Sequence, residues 1–207
     1  MSFPAFFQQI PALTLHDDLA EALGAAEGGL IEYRYEDMVR LAGHSCPTVA
    51  GAWLMARHGL AALYPEMTPR RGHVRVDLRA PQDAGTTGVV GGLLGLVTGA
   101  AGEGGFKGLG SRFVRRNLLK YGVELAAEVR FTRIDTATSV LLAYHPEVVP
   151  PAAGLQSLMP RVVSGQASAG EREEFARLWQ ERVRAILLEH ADDPALLTLR
   201  RDESGSI

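Results

Sequence analysis

Residues 125–149 read LAAEVRFTRIDTATSVLLAYHPEVV, and this stretch decides the fold class. Two runs rich in β-branched and aromatic residues flank a short polar turn at Thr136–Thr138, the signature of paired strands. Upstream, "GHVRVDLRA" (72–80) alternates apolar and polar residues with period two and reads as a third strand. "NLLKYG" (117–122) adds a fourth, so the middle of the chain predicts an antiparallel or mixed sheet.

Helical patterns surround these strands. "PTVAGAWLMARHGLAALYP" (47–65) opens with Pro at the first helical position, where its missing N–H costs nothing, and closes at Pro65. Its broad apolar face predicts the central buried helix. "AGEREEFARLWQERVRAILLEH" (169–190) places Phe175, Leu178, Trp179, Val183, Ile186 and Leu187 at three- and four-residue spacing opposite a charged face. A shorter helix is expected in 150–168, and one or two helical turns in "EDMVRLAG" (36–43). "HDDLAEALGAAEGG" (16–29), with leucines at 15, 19 and 23, predicts a short amphipathic helix. "LIEYRYED" (30–37) fits a half-buried strand or an extended lead into the next helix. The whole predicts an α+β fold, with a core domain over 1–151 and a helical C-terminal appendage over 152–207 packed on that core or on a partner.

Composition narrows the function classes. The 207 residues are 46 % hydrophobic and 22 % charged, enough apolar material for one generous core. A net charge of −3 advertises neither nucleic acid nor an anionic membrane as partner. The uncharged stretch "TTGVVGGLLGLVTGAAG" (86–102) is short and glycine-rich for a bilayer span of roughly 20 residues, so a buried element is expected. The N-terminus lacks the charge and hydrophobicity of a signal peptide. A single cysteine fits a reducing compartment, and the expected location is cytoplasmic.

That cysteine lies in "LAGHSCPTVAG" (41–51), two residues after a histidine and just before a helix. A thiol near a helix N-terminus favours the thiolate, and imidazole plus thiolate is a donor set suited to zinc. Two residues do not complete a site, and a lone Cys is commonly a small buried hydrophobe. Among possible third ligands, His145 stands at a strand end beside Pro146 and Glu147, where polar residues line pockets. His16 reads as part of a capped helix start, His73 as solvated, and His190 as a partner of a helix C-terminus. His58 falls twelve residues beyond Cys46, roughly 18 Å along the helix, out of reach of a shared ion. Asp37 reads as a surface helix carboxylate and Asp83 as a helix N-cap.

"GHSCP" (43–47) resembles the GHxCP signature of the family of formylmethanofuran dehydrogenase E-subunit-like proteins. "LVTGAAGEGGFKGLGSRFVRRNLLKYG" (96–122) is similar to that family's second block, and "AEVRFTRIDTATSV" (127–140) to the strand pair that follows. The resemblance spans roughly 13–147. It implies an α+β fold and a divalent transition metal held at His44 and Cys46, zinc first, with nickel or iron as alternatives; His145 is the candidate third ligand. The chain departs from the family pattern at Ala42, Thr48 and Ala100, where members commonly carry His, Gly and Cys. Two natural ligands are thereby missing, so a complete site has to recruit others. The activity that names the family belongs to a complex of several different chains, and the resemblance carries no claim to it.

The second block adds a basic, glycine-rich loop with Lys107, Arg112, Arg115 and Arg116. Glycines let backbone N–H groups approach an anion and guanidinium groups clamp one, so Lys107 and Arg112 are the candidate binders of a small anionic molecule. The P-loop pattern, the G-x-S-x-G elbow and a dinucleotide fingerprint are all absent. Three readings follow: a metal protein with an anion clamp, a metal-free small-molecule or cofactor module with a reactive Cys46, and an accessory or assembly subunit. A homodimer is expected, and whether the protein is a catalyst stays open.

Overall fold

The computed structural model describes residues 2–202. The first half contains β1 (Leu13–His16), α1 (Asp18–Ala22), β2 (Leu30–Tyr33), α2 (Tyr35–Ala42), α3 (Pro47–Leu63), β3 (Val74–Leu78) and α4 (Thr87–Thr98). The second contains β4 (Leu119–Lys120), β5 (Val129–Arg133), β6 (Ser139–Tyr144), α5 (Ala153–Val163), α6 (Ala169–Arg184) and β7 (Leu197–Arg201). Strands β1 and β2 form a small antiparallel ribbon, and the other five form a mixed sheet in the order β4-β3-β5-β6-β7. The protein is therefore α+β, as its sequence implies. No helix among the described residues is long and apolar enough to cross a membrane.

The β5–β6 hairpin seeds the sheet. Ala137 takes the left-handed conformation in its turn, and Phe131 pairs with Val140 across the ladder. Alternation then puts Val76, Phe131, Val140 and Leu142 on one face, each 1 % exposed or less. Helix α3 lies across that face. Its approach depends on two glycines. A Cβ at Gly51 would stand 2.4 Å from the Tyr144 ring, and one at Gly59 would stand 2.6 Å from the Phe131 ring. Two missing methyl groups, eight residues apart on one helix face, let α3 sit directly on β5 and β6. The uncharged stretch 86–102 supplies α4, whose Leu93, Leu94 and Val97 are buried beside α3 and β3.

Several expectations change. The helix expected from 16 onward shrinks to five residues, because Leu15 belongs to β1 and pairs with Ile31. Asp17 ends the strand in an extended conformation and caps the helix, and Leu23 is left exposed. "NLLKYG" contributes only Leu119–Lys120, parallel to β3, bracketed by left-handed Asn117 and Gly122. Asp83 is not a cap; Thr86 occupies that position in α4. The segment 152–207 is not purely helical. After α6 and a π-helical turn at Ala185–Glu189, β7 pairs with β6 along five residues and completes the core sheet. Val183, Ile186, Leu187 and Leu196 are at most 1 % exposed and belong to the main core. The polar C-terminus "RRDESGSI" (200–207) reads from the sequence as a fraying tail, but Arg200 and Arg201 lie in β7, and residues 203–207 lie outside the described residues.

Candidate functional site

The turn before α3 is held from four directions. Tyr35 Oη and Ser45 Oγ are 3.0 Å apart, and Tyr144 donates its hydroxyl to Pro47 O at 2.9 Å. Trp179 and Gln180 of α6 both donate to Ser45 O, at 2.9 and 3.2 Å. Burial raises the phenols of Tyr35 and Tyr144 well above the usual tyrosine range, so both stay protonated and able to donate. Cys46 is the N-cap residue and is 8 % exposed, within the hydrophobic core. His44 is exposed, and its Nδ1 lies 2.9 Å from Ala42 O. His145 stands at the end of β6, with its backbone N–H on Leu196 O and its Nδ1 3.4 Å from Glu147.

Next to this turn lies a cleft of about 240 Å³. Pro47 and Thr48, which follow Cys46, line it, and so do Tyr144 and Pro146, which flank His145. The lining also includes Thr86 and Thr87 at the start of α4, with Arg79 just after β3 and Glu128 just before β5. Two helix N-termini thus open onto one space, and neither has a side-chain cap. The first position of α3 is Pro47, which has no N–H, and the Thr87 N–H of α4 donates to Ala84 O at 3.1 Å, so it is the positive macrodipole ends of the two helices that favour an anion. Arg79 is exposed and makes no side-chain hydrogen bond or ion pair among the described residues. Glu128 accepts the Tyr144 N–H at 2.9 Å. Met55, Leu78, Val90 and Val129 provide apolar walls.

The ligand atoms of His44, Cys46 and His145 do not all lie within 4.8 Å of one another. Among the described residues, the group whose ligand atoms lie within 4.8 Å of one another is His16, Asp18 and Glu21. Its geometry is that of an ion-pair cluster. The two nitrogens of His16 face different carboxylates, Asp18 at 3.1 Å and Glu21 at 3.0 Å. Asp18 also accepts from Arg70 at 2.6 Å and lies 2.7 Å from His73 Nε2. Sequence reasoning set His16 and His73 aside one by one; nothing local shows that β1 and the 69–73 segment meet. The pairing of His16 N–H with Pro69 O brings them together.

Beside this cluster lies Asp17, 3 % exposed. Its Oδ1 caps α1 through Leu19 and Ala20 and also receives Arg115 at 2.7 Å, while Oδ2 receives Arg71 at 2.9 Å. Burial pushes the carboxyl upward, but hydrogen bonds from Arg71 and Ala20 and the charges of Arg115 and Arg71 outweigh it, leaving Asp17 below its ordinary value. Arg115, grouped with the basic loop in the sequence, is thus a buried structural cation. Lys107 and Arg112 are exposed. The Arg112 guanidinium lies 4.6 Å from the centre of the neighbouring Phe113 ring, and neither Lys107 nor Arg112 lines the cleft.

The residues that do line the cleft include Arg79, Glu128, Thr86 and Thr87, which the sequence reading passed over. Arg79 follows β3 directly and Thr86 precedes α4, so a cation at a strand end and a hydroxyl at a helix start were the available signals. Comparison with known proteins adds no family: no protein-family model matches the chain, and no curated protein matches it significantly.

Proposed function

We propose that the protein is a small-molecule-binding module whose ligand site is the cleft between the N-termini of α3 and α4. One observation carries this reading: two helix starts without side-chain caps and the guanidinium of Arg79, unpaired among the described residues, share a single, largely apolar cleft. Such a site suits a small carboxylic acid with an apolar body, its anionic head on the helix N-termini and Arg79. Glu128 at the rim adds an acceptor for a hydroxyl or amino group on the same ligand. The reading keeps the cleft next to the GHSCP turn and to His145, where the family resemblance also puts function. Cys46 supports the turn in this scheme and is not a nucleophile.

The test is isothermal titration with apolar 2-hydroxy- and 2-amino-carboxylates of four to six carbons. Saturable binding that Arg79→Ala weakens at least about tenfold supports the site. Absence of binding across the panel, or binding indifferent to Arg79→Ala and to the cleft-filling Val90→Trp, overturns it.

A divalent transition metal, zinc before nickel or iron, is the second reading. The His16–Asp18–Glu21 group favours it, together with the resemblance at His44 and Cys46. Elemental analysis of wild type beside His16→Ala, His44→Ala and Cys46→Ala decides it: about one equivalent of metal, lost in a variant, locates the site, and none after reconstitution ends the proposal. Native mass tests the homodimer in the same preparations.

A further inference from the structure

The sheet face opposite α3 has a chemistry that the cleft reading does not use. Register sets two rows of side chains across it. One runs Lys120, Asp77, Arg130, Leu141, Arg200, and the next runs Arg75, Thr132, Ser139. Asp77 is 1 % exposed and works as an anchor under this surface. Its Oδ2 accepts Nε of Arg75 at 3.1 Å and both Nε and Nη2 of Arg130, at 3.1 and 2.8 Å. One carboxylate therefore holds two guanidinium groups in place and neutralises one of them. Arg75 Nη2 reaches Thr132 Oγ1 at 3.4 Å, and Thr132 and Ser139 share a buried hydrogen bond of 2.9 Å.

Above these groups lies a concavity of about 450 Å³ lined by Arg75, Lys120, Arg130, Arg133 and Asn117, and by the carboxylate of Asp202. Two of the cations have further partners: Arg130 Nη1 is 3.5 Å from Asp202, and Arg133 pairs with Asp135 at 2.7 Å. Lys120 pairs with no carboxylate among the described residues. Anchored guanidinium groups beside a free ammonium and an amide side chain are the donors that a phosphoryl group requires.

We propose that this face is a second binding site, for a small phosphorylated molecule. Its two guanidinium groups are preorganised by Asp77, so little side-chain entropy is lost when an anion arrives. Four of the cations line one concavity, and the chain as a whole is acidic at net charge −3. Both features favour a compact anion over a nucleic acid. The site stands apart from the cleft, sharing none of its lining residues.

The test is phosphorus NMR and calorimetric titration of the full chain with inorganic phosphate and pyrophosphate at constant ionic strength. Wild type is expected to bind pyrophosphate saturably, and Lys120→Glu to weaken it about tenfold or more. Arg79→Ala, in the other cleft, is expected to leave it unchanged. Lys120 is exposed, so its replacement leaves the fold intact, which the circular dichroism spectrum checks. No saturable binding, equal binding by Lys120→Glu, or tighter binding of a single-stranded oligonucleotide than of pyrophosphate would overturn the proposal.

Discussion

Arg115 donates from Nη2 to Asp17 Oδ1 at 2.7 Å, across 98 positions of sequence. The pair fastens the glycine-rich loop to the first strand–helix junction, and Gly72 makes room for it. A Cβ at Gly72 would stand 1.2 Å from the Arg115 guanidinium, and the residue already takes φ +81°. Removing one member of a buried pair leaves the other charge uncompensated, at a cost of about 3–5 kcal/mol. Arg71 stays on Asp17, so Arg115→Ala is expected near the lower figure, about 3 kcal/mol. Urea unfolding measures it. Gly72→Ala should be at least as damaging, and a change below about 1 kcal/mol would refute this account of the junction.

Acid stability follows from the same carboxylates. Asp17 and Asp18 both sit below their ordinary value: burial raises them, but Arg71 and Ala20 for the first, and Arg70 and His73 for the second, lower them more. A depressed folded-state value binds protons less readily than the unfolded chain. The stabilisation is therefore complete above the unfolded value of about 4 and is lost as pH falls through the folded values. Thermal unfolding should show stability declining below about pH 4, and the decline should be shallower in Asp18→Asn than in wild type.

The bond from Trp179 Nε1 to Ser45 O predicts that α6 rigidifies the turn before α3. Trp179→Phe keeps most of the apolar packing and removes one donor, a loss of about 1 kcal/mol. Amide exchange at Ser45, Thr48 and Val49 should accelerate in the variant. Thiol labelling of Cys46 should be slow in native wild type and faster in Trp179→Phe. Rapid labelling of the native protein would restore the reactive-thiol reading of Cys46.

Truncation after residue 151 removes β7 and the buried Ile186, Leu187 and Leu196. It also exposes β6 as a bare edge strand. The 1–151 fragment should therefore lack a cooperative unfolding transition and aggregate. A folded, soluble fragment would show that the C-terminal segment is an appendage after all.

Filling the space beneath α3 tests the packing that sets the cleft wall. Gly51→Ala gains about 1 kcal/mol of helix propensity but drives a methyl into the Tyr144 ring, an overpacking cost of about 1–3 kcal/mol. A net loss is expected, together with a weaker Tyr144–Pro47 bond, read from the tyrosine hydroxyl in NMR.

Much of the architecture was legible in local pattern. The β5–β6 hairpin, the Pro47 start of α3, the Gly43 end of α2 and the amphipathic spacing of α6 each depend on neighbours a few residues away. The failures share a cause. Leu15 reads equally well as the first leucine of a helix or as a strand residue, and only its pairing with Ile31 decides. Arg200 and Arg201 look like tail, because a single edge strand has no signature apart from the β6 edge it completes.

The candidate site divides in the same way. Sequence pattern and the family resemblance led to the turn at 43–47 and to His145, whose chain neighbours line the cleft. Tertiary structure assigned the roles: Cys46 faces the core, His16 and His73 meet on Asp18, and Arg115 turns inward while Arg79 borders a cleft. Spacing along the chain governs backbone conformation, which is local. Ion pairs and cavities arise between segments roughly 50 to 100 residues apart, and their partners exist only once α3 and the sheet have packed.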